Sequence, residues 1–293
     1  NANNQATINA GGLNGRSTVR FARGDGNDRY DIADSLSIEP QTYSMFVVTE
    51  RLSSAQWGNT ILAKSGEAGV GWQLRQYDND ANAYTLTARG TSGDDEPAAS
   101  GINGVALIGA GYDGTDRYLD ADGVRKTTVN EPNEVLNYKD SGSSISMSLG
   151  YRDAGTGTGG DLDGNISEIL FFEKSLSKAE SAVIQNYLSS KWGTVLDNSV
   201  DYYSGDTTAN GDYDFGVTGI LKLSDSNVVS GQEGAISILN GTTDGFLKDA
   251  GDTVFAGNKG LGSTTVDLPN GVANVRSNTV WYLDARDAAT AGG

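Results

Sequence analysis

The segment Tyr43-Ser44-Met45-Phe46-Val47-Val48-Thr49 has a continuous apolar centre with β-branched and aromatic side chains. Such residues pack well on a pleated sheet, so the segment predicts a buried β-strand. Similar short runs follow at 57–62, 70–77 and 84–88, each bounded by Gly, Asn or Asp. Short strands separated by regular turn signals are typical of a β-sandwich and not of an alternating β/α fold.

The β pattern extends over residues 13–172. Asp120-Ala121-Asp122-Gly123 predicts the tip of a hairpin between residues 117–120 and 124–126. Residues 144–151 alternate, with Ile145, Met147 and Leu149 on one face, and residues 166–172 predict one more buried strand. We therefore expect an all-β domain in this part of the chain.

One helix follows the strands. Ser177 and Glu180 have the spacing of a capping box, and Val183, Ile184, Tyr187 and Leu188 recur at helical spacing. Gly193 lies where a helix usually ends in a left-handed residue. We expect the apolar stripe of this helix to pack on the preceding sandwich.

A polar connector over residues 194–212 follows the helix, and the β pattern resumes at Tyr213. Candidate strands in this part lie at 217–223, 235–239, 253–256, 264–268 and 279–283. We therefore predict two domains, residues 1–196 and residues 197–293, with the second domain ending before its last strand.

The composition excludes several classes of site. The 293 residues include neither His nor Cys, which excludes Ser-His-Asp and Cys-His catalysis, disulfides, and zinc or iron sites that need those ligands. The formal net charge is −17, which argues against binding to nucleic acid or to anionic lipid. No stretch approaches the ~18 apolar residues of a transmembrane helix, so we expect no direct membrane insertion.

Two stretches carry a family resemblance, residues 12–21 (GLNGRSTVRF) and residues 162–172 (LDGNISEILFF). They resemble the laminin-G-like, concanavalin A-like lectin domains, and residues 176–193 are similar to the end of such domains in bacterial surface proteins. The resemblance implies a concanavalin A-like jelly-roll β-sandwich with one C-terminal capping helix over about residues 1–196.

The second part is similar to an uncharacterised β module of large exported bacterial proteins. The residues that carry this resemblance are 213–220 (YDFGVTGI), 255–258 (FAGN), Arg276 and 280–283 (VWYL). It implies a second, smaller β-sandwich in an extracellular protein used for adhesion, glycan binding or surface structure. Both ends look unfinished, so one hypothesis is that Trp281-Tyr282-Leu283-Asp284 completes the open sheet of a neighbouring copy.

Hydrolysis is the least favoured activity. Retaining sandwich glycosidases need two carboxylates about 5–5.5 Å apart, typically presented as Glu-x-Asp-x-x-Glu. None of the ten glutamates has Asp two positions later; they are Glu39, Glu50, Glu67, Glu96, Glu131, Glu134, Glu168, Glu173, Glu180 and Glu233. We therefore expect no enzymatic activity, with a sandwich glycoside hydrolase as the second alternative.

Acidic loops make Ca²⁺ the expected cofactor, because it is bound by clustered carboxylate, amide and carbonyl oxygens. Tight turns use the same residue types, so each loop can be purely structural. The candidate metal ligands are Asp25, Asp28, Asp78, Asp80, Asp161 and Asp163.

Aromatic side chains beside polar loops are candidate sugar platforms, since a pyranose can stack on a ring while polar neighbours bind its hydroxyls. The candidates are Trp57, Trp72, Tyr77 and Tyr84, with a core position as the alternative for Trp72. The sequence thus predicts a non-enzymatic extracellular or cell-surface segment with an adhesive or structural role. The expected partners are a glycan or neighbouring copies of the same protein, and a calcium-dependent carbohydrate-binding module is the first alternative.

Overall fold

The computed structural model describes residues 5–23, 28–52, 59–66, 70–76, 82–89, 96–152, 160–233, 236–241, 245–260 and 280–289. Its contacts divide the chain into two compact units, Asn1–Leu176 (unit 1) and Ser177–Gly293 (unit 2). The predicted boundary at 196/197 follows the helix, whereas the observed boundary precedes it. Among the described residues, no helix is long and apolar enough to cross a membrane.

The described part of unit 1 contains short strands and a 3-10 turn, Leu36–Ile38. The strands are β1 (Thr7–Leu13), β2 (Arg16–Phe21), β3 (Tyr30–Ile32), β4 (Tyr43–Arg51), β5 (Thr60–Ser65), β6 (Gly71–Gln76), β7 (Tyr84–Arg89), β8 (Ala98–Ala99), β9 (Val105–Tyr112), β10 (Asp116–Ala121), β11 (Val124–Asn130), β12 (Lys139–Asp140), β13 (Ser143–Ser144), β14 (Met147–Leu149) and β15 (Gly164–Phe172).

Two antiparallel sheets form the sandwich. One has the order β1-β2-β15-β4-β9-β10-β11, and the other has the order β3-β14-β5-β6-β7-β8. The predicted strand at 43–49 is confirmed as β4, which pairs with β15 on one side and with β9 on the other. The all-β sandwich class is therefore confirmed for this part of the chain.

Aromatic side chains connect the two sheets. Trp72 of β6 stacks on Tyr43 of β4 with ring centroids 5.5 Å apart, and on Phe171 of β15 with centroids 5.4 Å apart. Aliphatic side chains from both sheets, including Leu74 and Ile108, complete the same buried cluster. Burial of this apolar surface supplies most of the stability of such a sandwich.

The predicted hairpin tip is confirmed between β10 and β11. Asp122 and Gly123 both have positive φ angles, 50° and 88°, and the strands pair from Ala121↔Val124 outward. Positive φ at both central residues matches the right-handed twist of the flanking strands, which explains the Asp-Gly pair.

A buried ion cluster lies beside this hairpin. The guanidinium of Arg117 contacts the carboxylates of both Glu131 and Glu134, and none of the three side chains is more than marginally exposed. The hydroxyl of Tyr112 donates to the Glu131 carbonyl at 2.8 Å and accepts from the Glu134 N–H at 2.9 Å. The two glutamates share one guanidinium in the interior, so they are engaged within the protein and are buried away from a substrate.

Unit 2 begins with α1 (Lys178–Trp192), whose predicted ends are confirmed. The Ser177 hydroxyl accepts from the Glu180 N–H, the Glu180 carboxylate accepts from the Ser177 N–H, and Gly193 ends the helix in the left-handed region. The strands of this unit are β16 (Phe215–Lys222), β17 (Asn227–Val228), β18 (Ser230–Glu233), β19 (Ile236–Leu239), β20 (Thr253–Asn258) and β21 (Trp281–Arg286).

One face of α1 packs within unit 2, where Ala179 and Ala182 contact the cluster of Val217, Leu221 and Phe255 on the four-stranded sheet β17-β16-β20-β21. The expected packing of the apolar stripe of the helix on the first sandwich stays a prediction. Small alanines allow close approach to the large Phe255 ring, and the helical pattern by itself does not say which sheet provides that surface. In the described part of unit 2, the helix rather than a second large sheet covers this sheet.

The segment Trp281-Tyr282-Leu283-Asp284 pairs with a strand of its own chain. It lies in β21, which pairs along its whole length with β20 of the same chain, from Asn258↔Trp281 to Thr253↔Arg286. Its backbone groups on that side are used within unit 2, so the segment completes a sheet of its own chain. Pairing of the other edge of β21 with a neighbouring copy stays a prediction.

The predicted polar connector is part of the folded unit. Tyr203 is fully buried in the unit 2 core, and the Asn186 side chain of α1 accepts from the N–H groups of both Tyr202 and Tyr203. The same amide donates to the carbonyls of Ala182 and Val200, each at 2.9 Å. One buried side chain therefore fixes the path of the chain after the helix.

We expect Asn186→Ala to lower the free energy of unfolding of unit 2 by about 3 kcal/mol, because several buried backbone groups lose their partner at once. Chemical denaturation of the full chain measures this change. Asn210→Ala is the control. The Asn210 side chain is exposed and its amide donates to the Ser204 carbonyl, so we expect a loss of less than about 0.5 kcal/mol in this variant. Equal effects of the two variants would contradict the bracing role of Asn186.

Asp206 makes the stability of unit 2 depend on pH. Burial raises the pKa of Asp206 to about 6, against the hydrogen bond that the Ser190 hydroxyl donates to it. The folded state therefore holds this proton more tightly than the unfolded state, so stability falls as pH rises from about 4 to about 6. We expect Asp206→Asn to stabilise unit 2 by about 1 kcal/mol at pH 7.5, after allowing for solvent screening, with no gain at pH 4. Thermal unfolding at both pH values checks this, and a gain that is equal at both would contradict it.

Candidate functional site

A polar pocket of about 510 Å³ lies at the β3 edge of the six-stranded sheet in unit 1. We call it the serine pocket, because six serines line it together with Arg29, Asp31, Gly66, Asp140 and Ile145. The serines are Ser65, Ser141, Ser143, Ser144, Ser146 and Ser148.

One wall of the serine pocket is formed by β3 and β14, and the register of these two strands fixes which side chains lie opposite each other. Asp31 lies opposite Ser148, and the Ser148 hydroxyl donates to the Asp31 carboxylate at 3.0 Å. Arg29 pairs with Asp31 at 3.1 Å and lies over the Tyr151 ring at 5.1 Å from its centroid. A carboxylate and an aromatic face therefore orient the Arg29 guanidinium, which keeps exposed surface for a ligand.

The opposite wall is the hairpin of β12 and β13. Ser141 and Gly142 have φ angles of 49° and 87°, the pattern of a two-residue hairpin turn, and Asp140 pairs with Ser143. The Asp140 carboxylate lies over Gly66, where an added Cβ would be 2.4 Å from its Oδ2. Gly66 is therefore required for the carboxylate to reach this position.

A buried lysine supports the pocket from behind. Lys64 is next to Ser65, and its ammonium donates to the carbonyl of Ile145 and to the Asp34 carboxylate, each at 2.6 Å. Hydrogen bonds from Lys64 first, and then from Ser144, hold the pKa of Asp34 below its usual range. Through Lys64, strand β5 therefore contacts both the segment before the 3-10 turn, at Asp34, and the serine-rich segment 141–148, at Ile145.

The serine pocket therefore presents hydroxyls, two carboxylates and a guanidinium on a rigid sheet edge. Hydroxyls both donate and accept, carboxylates accept and the guanidinium only donates. This combination suits a polyhydroxylated ligand whose own hydroxyl groups alternate between the two roles. Ile145 is the only apolar side chain among the lining residues that the structure describes.

The predicted aromatic platforms lie elsewhere. Trp72 is 1% exposed within the aromatic stack, and Tyr84 is 2% exposed, where burial raises its pKa to about 12. Neither ring can stack on a sugar, so the platform prediction is wrong for both residues. The reason is that their strands lie inside the six-stranded sheet and turn these rings toward the core. Trp57 and Tyr77 lie outside the described residues.

The predicted metal ligands of the first sandwich separate into different environments. The Asp163 carboxylate pairs with Arg20 at 2.5 Å, while an Asp28 oxygen accepts from the Ala22 N–H at 2.9 Å. Burial raises the pKa of Asp161; the Arg23 charge opposes this, and the nearby Asp28 charge adds to it. Asp161 and Asp28 are thus neighbours, whereas Asp163 is engaged with Arg20. Asp25, Asp78 and Asp80 lie outside the described residues.

One acidic group in unit 2 was not predicted as a metal site. Oxygens of Asp249, Asp252 and Asp287 lie within 4.8 Å of one another, the spacing of a metal site. Burial acts to raise the pKa of Asp252, but hydrogen bonds from the N–H groups of Asp249, Ala288 and Lys248 outweigh it, and the pKa is lowered. These bonds show that Asp252 closes the local turns, which is a structural role.

The sequence did contain a signal for the serine pocket. Ile145, Met147 and Leu149 alternate with Ser144, Ser146 and Ser148. Met147 and Leu149 pack in or against the core as predicted, whereas Ile145 is buried but also lines the pocket. Strand alternation therefore placed the serines on one polar face. Arg29 and Asp31 had no such signal, because they join this face only through the pairing of β3 with β14.

The sequence matches no known protein family and no curated protein at a significant level. Among solved structures, similar folds include the sialidase CBM40 of Ruminococcus gnavus bound to α2,3-sialyllactose, with 14% identity, a TM-score of 0.44, and coverage of 55% of this chain and 91% of that one. The binding domain of botulinum neurotoxin DC in complex with SialylT has 13% identity, a TM-score of 0.49, and coverage of 87% and 64%. At these TM-scores the likenesses carry no information on the ligand of this chain.

Proposed function

We propose that unit 1 is a non-enzymatic carbohydrate-binding module that serves in adhesion, and that its glycan binds in the serine pocket. The observation that carries the proposal is the lining of this pocket, in which six serines surround Arg29, Asp31 and Asp140. Protein sites that select sugars place a few fixed polar groups in a concavity, and the strand pairing described above provides such fixed groups.

The non-enzymatic part of the proposal has its own support. The buried glutamates Glu131 and Glu134 are held by Arg117, and the Asp31 carboxylate of the pocket is held by Arg29 and Ser148. These carboxylates are engaged as acceptors within the protein, an arrangement suited to orienting groups rather than to proton transfer. We extend the proposal to an extracellular or cell-surface location, because a module that serves in adhesion must meet its glycan outside the cell.

Arg29→Ala tests the site. Removal of this charged donor is expected to weaken binding of the best glycan at least about tenfold, as expected for a hydrogen bond from a charged group. A glycan array with the full chain identifies the best ligand, and titration calorimetry measures its affinity for each variant.

The matched control is Arg125→Ala. Arg125 also pairs with an aspartate, Asp120, and also lies over a tyrosine ring, Tyr118, but it belongs to β11 in the other sheet. We expect its affinity to stay within about twofold of the unchanged chain. An Arg29→Ala variant that binds as well as the control, or a chain that binds no glycan on the array, would sink the proposal.

We further propose that Ca²⁺ binds beside Asp28 and Asp161. Oδ1 of Asp161 is buried and has no hydrogen-bond partner among the residues that the structure describes, and the neighbouring Asp28 carboxylate adds a second oxygen donor. An orphaned buried oxygen is costly and suits a hard cation, so these residues fit the ion. Bound Ca²⁺ would supply positive charge that offsets the repulsion between the two carboxylates.

Thermal unfolding in Ca²⁺ and in chelator tests this part. We expect Ca²⁺ at a hundredfold excess over its Kd to stabilise unit 1 by about 2.7 kcal/mol, and Asp161→Asn to remove the gain. Asp163→Asn is the control. This variant loses the ion pair with Arg20, so we expect its stability to fall by the same amount in Ca²⁺ and in chelator. A calcium-dependent shift that survives in Asp161→Asn would exclude this site.

A further inference from the structure

We propose that Lys64 and Asp34 condense into an intramolecular amide cross-link, with Glu39 as the proton-transferring residue. The proposal does not depend on the glycan hypothesis. It rests on three side chains from different segments of unit 1 that converge behind the serine pocket: a strand residue, a residue after β3, and the residue that follows the 3-10 turn.

The amine is placed for attack. The Lys64 side chain is 0% exposed, and its Nζ lies 2.6 Å from Oδ1 of Asp34. Because Cγ is bonded to Oδ1, this contact brings the nitrogen within reach of the carbonyl carbon. Holding two groups in such contact replaces an encounter in solution and is equivalent to effective concentrations of about 10⁵–10⁸ M.

The second carboxyl is placed for proton transfer. Oε1 of Glu39 lies 3.5 Å from Nζ, and Glu39 also forms a hydrogen bond with Asp34. One carboxyl group therefore contacts both the attacking amine and the group that must lose oxygen. General acid–base catalysis needs this shared reach.

The surroundings favour the neutral product. Nζ also donates to the Ile145 carbonyl at 2.6 Å, and it lies 5.7 Å from the centroid of the Tyr138 ring. A buried ammonium is costly to desolvate, whereas an amide keeps one N–H donor and loses the charge. The Ile145 carbonyl can accept from the amide N–H just as it accepts from the ammonium.

The chemistry balances without a redox partner. Glu39 moves a proton from the Lys64 ammonium to the Asp34 carboxylate, so that a neutral amine faces a neutral carboxyl group. The amine attacks Cγ of Asp34, and the tetrahedral intermediate breaks its C–O bond while Glu39 moves the second amine proton to the leaving hydroxyl, which departs as water. One ammonium and one carboxylate become one amide and one water, and the net charge is unchanged.

Mass spectrometry of the full chain tests the proposal. We expect the intact mass under denaturing conditions to be lower than the sequence mass by one water. Trypsin should yield a branched peptide in which residues 30–51 are joined through Asp34 to residues 52–75, since an acylated Lys64 resists cleavage. A chain with the full sequence mass, cut at Lys64, would overturn the proposal and leave a buried ion pair.

Variants assign the roles. Lys64→Arg keeps a cation but removes the amine nucleophile, so it should have its full calculated mass. Glu39→Gln should form the cross-link at least about a hundredfold more slowly after synthesis, as expected for loss of a general acid–base group. Glu96→Gln is the control, because Glu96 is a similarly half-buried glutamate that pairs with Arg75, and the loss of water should continue there at the original rate. Equal rates in the two glutamate variants would contradict the role of Glu39, and localisation of the lost water to another aspartate would exclude the cross-link.

Discussion

The sandwich of unit 1 depends on where β15 pairs. This strand, from near the end of the unit, inserts between β2 and β4 and so joins segments more than a hundred residues apart in the chain. The insertion is tight: a Cβ on Gly164 would be 2.5 Å from the Glu50 carbonyl. β4 is thereby paired along both edges, and its side chains are also buried on both faces of the sheet, which agrees with the continuous apolar run at its centre.

The serine pocket and the proposed cross-link both depend on the second sheet of this sandwich. Pairing of β14 with β3 and β5 brings the serine-rich segment beside Asp31 and beside the end of β5. The same pairing buries Lys64, whose contacts with Asp34 and Ile145 connect three segments. A rigid edge of this kind keeps polar groups in place at little entropic cost to a ligand.

Local features were predictable from the sequence. Strand β4, the Asp122-Gly123 turn and both ends of α1 were identified because propensity, turn chemistry and capping act over a few residues. The contact of α1 with the unit 2 sheet was not predicted, because small residues such as Ala179 and Ala182 permit close packing without specifying the surface that they contact. Trp72 beside its polar loop resembled an exposed platform, although sheet pairing places it in the aromatic core.

The sequence by itself determined the class of the molecule: all-β with one capped helix, without histidine or cysteine chemistry, and with abundant oxygen donors. The tertiary structure alone decided which of those donors meet. Arg29, Asp31 and Asp140 become one pocket, and Lys64 meets Asp34 and Glu39, only through strand pairing and burial. The physical reason is that turn and strand preferences are local, whereas a site is made by contacts between distant segments, which long-range packing selects.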